Sequence, residues 1–470
     1  MMNPQDQFGS CRSILKGLKD RKFSSLEVTD YFLSKINDSS EVNAVAFIDG
    51  DQVRNSAKVA DERRLAGSTE PLLGLPLSIK DSIAVKDLPW RSGSFAREHV
   101  IANEDATSVR RLREAGALFL CKTTTPEYTW SVETESALHG TTLNPYDYGK
   151  TCGGSSGGEA VLHALGASPG GLGSDGLNSI RVPAHFCGTA GIRPTAGVVP
   201  ETGAWPSTRN SGLLDISTLG PMSKYADDLD LLLDVIQGQD FGDPFAHNLG
   251  DISRAIEVKN LKIGFFDSHP SVPVSEDVRR AVQIAATTLN HLGAKIEEID
   301  PWPIQNSIDL AFSLMAPDGG ELARRDVASA NGRHAPSFSA LLEQLKSQSL
   351  TVSQYLLAVD ELRVMRAAVR ETLDHYDAVI LPVAASTAPA HQSSLAKENI
   401  GLDISAYSYC FVIAIAGVPS VSVPIFITSV GLPVGVQVVV RPHSDRKAIE
   451  IAHQIQDSIH SYFQPQPRKI

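Results

Sequence analysis

The chain has 470 residues, of which 42% are hydrophobic and 20% charged, a composition typical of a folded globular protein and not of a disordered or collagen-like one. Its formal net charge of −12 argues against a surface adapted to nucleic acid or to an anionic membrane. The five cysteines are odd in number and include no CxxC pair, so neither a disulfide framework nor a zinc site is indicated.

Helical and strand patterns alternate from the N-terminus onward, which predicts an α/β fold. Residues 1–22 are polar and charged and lack the apolar core of a secretory signal, so we expect a cytoplasmic protein. Ser24 and Glu27 form a capping box at the start of a helix, whose apolar face carries Val28, Phe32 and Ile36. Further strands are predicted at 75–79, 117–121, 261–266 and 378–383, and further helices at 108–115, 159–165 and 278–292.

Glycine is concentrated between residues 151 and 200, which hold 12 of the chain's 36 glycines and only four charged residues. Glycine permits positive φ and close approach at an entropic cost that regular structure avoids, so this segment is interpreted as a site. No Gly-Lys-Ser/Thr follows, which excludes a P-loop, and a polar turn at 144–150 replaces the strand that a nucleophile elbow requires. No histidine cluster indicates a metal, so none is assigned.

Residues 404–440 carry no charge and are long enough to span a membrane, but Pro419, Pro424 and Pro433 divide them into short pieces. The β-branched pieces 421–427 and 434–440 are therefore predicted to be buried strands of a parallel sheet that is covered on both faces. We expect no membrane partner.

Several motifs of the chain resemble the amidase signature. Residues 153–158 read GGSSGG, 179–184 read SIRVPA and 191–195 read GIRPT. Residues 74–81, GLPLSIKD, resemble the family's strand that ends in its catalytic lysine, and 431–437 resemble its C-terminal strand.

The chain is thus identified as a member of the amidase signature family, which implies one large twisted mixed β-sheet flanked by helices on both faces. We predict a single domain over 1–470, made of an N-terminal helical segment (1–65), a signature and catalytic core (74–200), and the remaining strands and substrate-side helices (200–470).

The resemblance implies a Ser-cisSer-Lys triad with Ser179 as nucleophile, Ser155 as relay, held by a cis peptide to Gly154, and Lys80 as base, without a cofactor. Lysine is a base only when neutral, and at its ordinary pKa about one molecule in 2,500 is neutral at pH 7. Bringing the pKa near 7 requires roughly 4 to 5 kcal/mol of destabilisation of the ammonium, which burial at the end of an apolar strand can supply.

By the same resemblance, the backbone N–H groups of Gly176, Leu177, Asn178 and Ser179 are expected to form the oxyanion hole. The family's pattern has two glycines before the serine, where this chain has Leu177 and Asn178. Leucine tolerates positive φ poorly, so either position 177 has an ordinary φ or the loop is strained or reshaped. We expect the hole to persist and Leu177 to reshape the acyl side of the pocket.

Five other positions receive roles near the nucleophile. Asp175 and Arg181 are predicted to pair and support the loop, with an anion-binding role of Arg181 as the alternative. Thr129 and Trp130 stand at a place that resembles the family's substrate channel, which implies a contact with substrate, although Trp130 is equally compatible with a place in the core. Ser156 is predicted to support Ser155 by a hydrogen bond and is included among the candidate substrate contacts.

The predicted function is hydrolysis of a small-molecule carboxamide, by a monomer or homodimer that binds no nucleic acid. Anilides, esters and carbamates share the same tetrahedral chemistry, and the uncharged residues 404–415 favour an uncharged aryl or alkyl substrate. Two alternatives stay open: the amidase subunit of a glutamine-dependent aminoacyl-tRNA amidotransferase, and an inactive member of the family that only binds.

Overall fold

The computed structural model describes residues 8–206, 215–249, 256–394 and 404–466. Its helices, in chain order, are α1 Cys11–Lys19, α2 Ser25–Asp38, α3 Gly50–Leu65, α4 Thr107–Glu114, α5 Gly157–Leu165, α6 Arg181–Cys187, α7 Ala226–Ile236, α8 Glu276–His291, α9 Ser307–Met315, α10 Glu321–Asp326, α11 Pro336–Lys346, α12 Val352–His375, α13 Ser408–Ala416 and α14 Asp445–Ser458. Within these described ranges no helix is both long and apolar enough to cross a membrane.

The strands, in chain order, are β1 Val45–Phe47, β2 Pro76–Lys80, β3 Leu118–Thr123, β4 Glu135–Ser136, β5 Gly140–Thr141, β6 Gly170–Asp175, β7 Ala190–Arg193, β8 Thr218–Ser223, β9 Lys262–Phe265, β10 Lys295–Glu298, β11 Ala378–Pro382, β12 Ser420–Ile427 and β13 Pro433–Val439. In the described part of the chain, 11 of them form one mixed sheet in the order β1-β3-β2-β6-β8-β7-β12-β13-β11-β9-β10. β2 runs parallel to β3 and β6, and β9 to β10 and β11, whereas the other pairs are antiparallel.

Helices cover both faces of this sheet, as successive residues of β13 show. Val438 belongs to the hydrophobic cluster that contains Val282 of α8 and Ile449 of α14. Val439 points the other way and belongs to the cluster that contains Phe411 of α13. Because successive side chains of a strand point to opposite faces, the sheet lies between two apolar layers, which confirms the predicted fold class.

The predicted helices and strands are present with ends shifted by one or two residues. At the start of α2, Ser24 Oγ accepts from the Glu27 N–H at 3.1 Å and the Glu27 carboxylate accepts from the Ser24 N–H at 2.7 Å, so the predicted capping box is confirmed. Val28, Phe32 and Ile36 of this helix are buried.

The prediction that residues 421–427 and 434–440 belong to a parallel sheet was wrong in strand direction. Both strands are buried, but β12 and β13 are antiparallel, with Val421 opposite Val438. They are joined by a tight turn in which Gly431 has a φ of +81° and the Thr428 N–H donates to the Leu432 carbonyl oxygen. A parallel crossover needs a dozen or more residues, so this short connection requires antiparallel pairing.

The glycine-rich segment contains the predicted helix at 159–165 and further regular structure. Residues 151–200 include α5, β6, α6 and β7. A Cβ atom at Gly171 of β6 would lie 2.2 Å from a carboxylate oxygen of Glu159 and 2.4 Å from the Ser78 carbonyl oxygen. The missing side chain therefore lets α5 pack directly against β2 and β6.

Candidate active site

Lys80 meets Ser174 because β2 and β6 are parallel neighbours. Their register pairs Ser78 with Gly171 and Ile79 with Leu172, so the carboxyl ends of both strands lie at the same edge of the sheet. There Lys80 Nζ donates to Ser174 Oγ at 2.8 Å. Ser174 was not predicted from the sequence, and the signal that could have found it is its place at the end of a strand parallel to β2.

The loop before α5 brings two more hydroxyl groups to Lys80. Lys80 Nζ lies 2.6 Å from Ser155 Oγ and 3.0 Å from Ser156 Oγ. The Gly154–Ser155 peptide bond is cis, as the resemblance implies. The buried ammonium group of Lys80 is therefore surrounded by three serine hydroxyls.

Only some of these hydroxyls can give a proton to Lys80. Ser156 Oγ donates to the Ser174 carbonyl oxygen at 3.1 Å and accepts from the Ser174 N–H at 3.2 Å, so its proton is already engaged. The side chains of Ser155 and Ser174 remain as proton sources, and Ser155 is the nearer. Ser156 is fully buried, lies beside Lys80 and is not part of the cavity lining.

Burial of the Lys80 side chain lowers its pKa to about 7. The charges of Asp175 and Glu159 act in the opposite direction and keep the pKa from falling further. Glu159 itself is fully buried and accepts from Ser78 Oγ at 2.6 Å and from Thr123 Oγ1 at 2.7 Å. At neutral pH a large fraction of Lys80 is therefore neutral and able to accept a proton.

The turn that carries Ser179 is anchored by Asp175 and Arg181. Arg181 Nε and Nη2 donate to the two carboxylate oxygens of Asp175, each at 3.0 Å, and both side chains are fully buried. Burial is the largest single influence and opposes ionisation of Asp175, but the charges of Arg181 and Arg193 and the hydrogen bonds from Arg181 and the Ile180 N–H together hold the pKa of Asp175 below its usual value. Arg181 Nη2 also donates to the Leu177 carbonyl oxygen at 2.6 Å. Neither side chain of the pair lines the cavity.

The residues between Asp175 and Ile180 form a turn rich in available donors. The backbone N–H groups of Gly176, Leu177, Asn178 and Ser179 have no acceptor among the described residues. Neither Leu177 nor Asn178 has a positive φ. Position 177 therefore has an ordinary backbone conformation, which was one of the two possibilities that the sequence left open. The family's two glycines are thus replaced without a left-handed backbone.

A cavity of about 130 Å³ opens beside these groups. Ser155, Ser174 and Ser179 line it, together with Leu177 and Asn178. Since one water needs about 10–15 Å³ of such space, the cavity accommodates roughly ten atoms, the size of a small aryl or alkyl amide.

The rest of the cavity wall is mainly apolar. Its large side chains are Trp130, Trp205, Phe312, Met315, Phe338, Leu341, Ile404 and Phe411, and Thr129 lies beside Trp130. The predicted contacts Thr129 and Trp130 therefore face the cavity, whereas the residues from α9 and α11 were missed because no motif marks them.

Carboxylates are the charged groups of this wall. Glu127, Glu135 and Glu201 line the cavity, and no Lys or Arg does so among the residues that the structure describes. Glu127 accepts from His334 Nδ1 at 2.7 Å and from Ser94 Oγ at 3.0 Å. Within the described ranges no group of His, Cys, Asp and Glu could hold a metal ion.

The chain matches known proteins over nearly its whole length. A family model described as Amidase matches residues 27–449. A glutamyl-tRNA(Gln) amidotransferase subunit from Chromohalobacter salexigens is 29% identical over 472 residues, or 94% of this chain and 95% of that protein. The protein of the same name from Psychrobacter sp. (strain PRwf-1) is 30% identical, covering 95% of each chain.

Solved structures resemble the whole chain. One, described as a vestigial protein complex that reveals the evolutionary origins of an s-triazine catabolic enzyme, is 28% identical with a TM-score of 0.84, covering 96% of this chain and 98% of that one. A bacterial aryl acylamidase of the amidase signature family is 23% identical with a TM-score of 0.86, covering 97% and 98%, and so shares the fold.

Proposed function

Since the chain belongs to the amidase family, we propose that it is a serine hydrolase that cleaves the C–N bond of a small carboxamide through an acyl-enzyme on Ser179. The observation that carries this proposal is the contact of 2.6 Å between Ser155 Oγ and a buried Lys80 whose pKa lies near 7. Both Ser155 and Ser179 line the adjacent cavity.

In the proposed reaction Ser179 Oγ attacks the carbonyl carbon while its proton passes through Ser155 to Lys80 Nζ. The N–H groups of 176–179 stabilise the negative charge that develops on the carbonyl oxygen. The tetrahedral intermediate then breaks its C–N bond, and the proton held by Lys80 returns through Ser155 to the leaving nitrogen. Water next attacks the acyl-enzyme by the same route and releases the carboxylic acid.

The cavity supports a neutral aryl or alkyl amide as substrate. Its apolar wall favours burial of such a group, and its described lining supplies carboxylates but no cation. Glutamine would bring an α-carboxylate into this wall, and a desolvated carboxylate without a partner is strongly disfavoured. The lining therefore favours an amidase of neutral substrates over a glutamine-hydrolysing subunit.

The second candidate is the amidase subunit of a glutamyl-tRNA(Gln) amidotransferase. It is favoured by the names of the relatives in Chromohalobacter salexigens and Psychrobacter sp., which span nearly the whole chain. In that case the activity would depend on further subunits, and glutamine would be the amide that is cleaved.

A hydrolysis panel on the purified chain separates these functions. We expect release of ammonia or amine from neutral aryl and alkyl amides, no release from L-glutamine, and a loss of about a thousandfold or more in Ser179→Ala. Hydrolysis of glutamine but of no neutral amide would instead support the amidotransferase function. Failure to hydrolyse any amide, ester or carbamate would contradict a stand-alone amidase and would favour either an inactive binding member or a subunit that needs its partners.

A further inference from the structure

Asn178 stands where the resemblance predicts glycine. Its side chain contacts the loop that carries Ser155. Asn178 Nδ2 donates to the Gly154 carbonyl oxygen at 3.3 Å. Only 4% of Asn178 is exposed, and the residue lines the cavity together with Ser155 and Ser179. Gly154 directly precedes Ser155, so the bond ends next to the proposed relay.

This contact joins two loops that are 24 residues apart in sequence. One loop, 152–156, holds Ser155, and the other, 176–179, holds Ser179. A second bond between them runs from the Ser156 N–H to the Ser179 carbonyl oxygen at 3.0 Å. Asp175 and Arg181 bond to each other, and neither side chain makes a hydrogen bond to residues 152–156 among those that the structure describes.

We propose that Asn178 is a positioning residue that holds the relay loop against the nucleophile turn, so that Ser155 stays aligned for proton transfer from Ser179. The proposal rests on the function proposed above. Proton transfer between hydroxyls requires close alignment, and a displacement of about 1 Å in such a site can cost about a hundredfold in rate. The amide acts through Gly154 and takes no part in the bonds that form or break.

Two substitutions test whether Asn178 acts through its hydrogen bond or only through the volume of its side chain. Asn178→Asp keeps the shape of the side chain but presents an acceptor to the Gly154 carbonyl oxygen, and Asn178→Gly removes the side chain and restores the family's residue. Asn290→Asp controls for the change from amide to carboxylate, because the exposed Asn290 donates through Nδ2 at the same 3.3 Å to the Ala294 carbonyl oxygen just beyond α8, and neither residue lines the cavity.

The readouts are the rate at which a fluorophosphonate labels Ser179, kcat and KM for a neutral amide, and the melting temperature. We expect both Asn178 variants to lower kcat and the labelling rate by about 10- to 100-fold with KM changed by less than about threefold. Asn290→Asp should keep the wild-type values.

Three other results have distinct meanings. Unchanged kcat and labelling in both Asn178 variants would overturn the positioning role while the labelled wild type upholds the proposed function. A loss of activity explained wholly by a lower melting temperature would make Asn178 a structural residue and would also overturn it. A wild-type protein that is neither labelled nor active would overturn the proposed function itself, and the role of Asn178 with it.

Discussion

Lys80 is fully buried, and its pKa of about 7 gives the proposed reaction a defined dependence on pH. As the proposed base, Lys80 works only when neutral, so kcat/KM should rise with pH through about 7 and level off above it. A pH–rate profile of the wild type between pH 5 and 9 checks this. A rate that is flat across this range, or that falls as pH rises through 7, would contradict the assignment of Lys80 as base.

Leu177 is the second residue where the chain departs from the family's glycines, and this residue lines the cavity. It is 8% exposed and packs in the cluster that contains Val132 and Ile216. We expect Leu177→Ala to enlarge the acyl side of the site and to shift kcat/KM toward bulkier acyl groups by about tenfold. The measurement is kcat/KM over a series of amides of increasing acyl size, and an unchanged order of preference would exclude this role.

At the scale of single residues, the resemblance predicted that Lys80, Ser155 and Ser179 come together. It did not predict all the other residues that surround them. Ser174 belongs to no motif, and it reaches Lys80 only because of the register between β2 and β6. The cavity-facing residues of α9 and α11 lie more than 100 positions after the signature, so only the folded chain reveals them.

Among the elements, β6 and α6 are held together by the buried pair of Asp175 and Arg181. Replacing Asp175 by Asn leaves the Arg181 charge buried without its carboxylate, which we expect to lower the free energy of unfolding by about 3–5 kcal/mol. Denaturant unfolding measures the change.

The matched control for this variant is Asp360→Asn, which removes one partner of the exposed pair formed with Arg363 on α12. Exposed ion pairs contribute little to stability, so this variant should unfold at nearly the wild-type denaturant concentration. Equal destabilisation of the two variants would show that Asp175 does not anchor the turn.

The elements themselves were largely predictable, since apolar spacing and capping residues are local signals. Strand direction was not predictable. The uninterrupted apolar residues of β12 and β13 indicate only that both faces of each strand are buried, and this is equally true of parallel and antiparallel neighbours. Likewise, the glycines of β6 indicated that another element packs closely against this strand. Only the structure shows that this element is α5, through Glu159.

At the scale of the whole molecule, one sheet contains strands from both ends of the described chain, from β1 to β13. We therefore propose that residues 1–470 form a single domain, and we expect one cooperative transition in calorimetric unfolding. Two resolved transitions that a variant such as Asp175→Asn shifts separately would contradict a single domain.

The proposed hydrolase activity depends on Ser179 being a nucleophile that Lys80 activates, and covalent labelling of the whole chain tests this directly. A fluorophosphonate should form one adduct, which peptide mass spectrometry places on Ser179, and Lys80→Ala should slow its formation by about a hundredfold or more. No adduct on Ser179, or labelling of Lys80→Ala at the wild-type rate, would contradict the proposed mechanism.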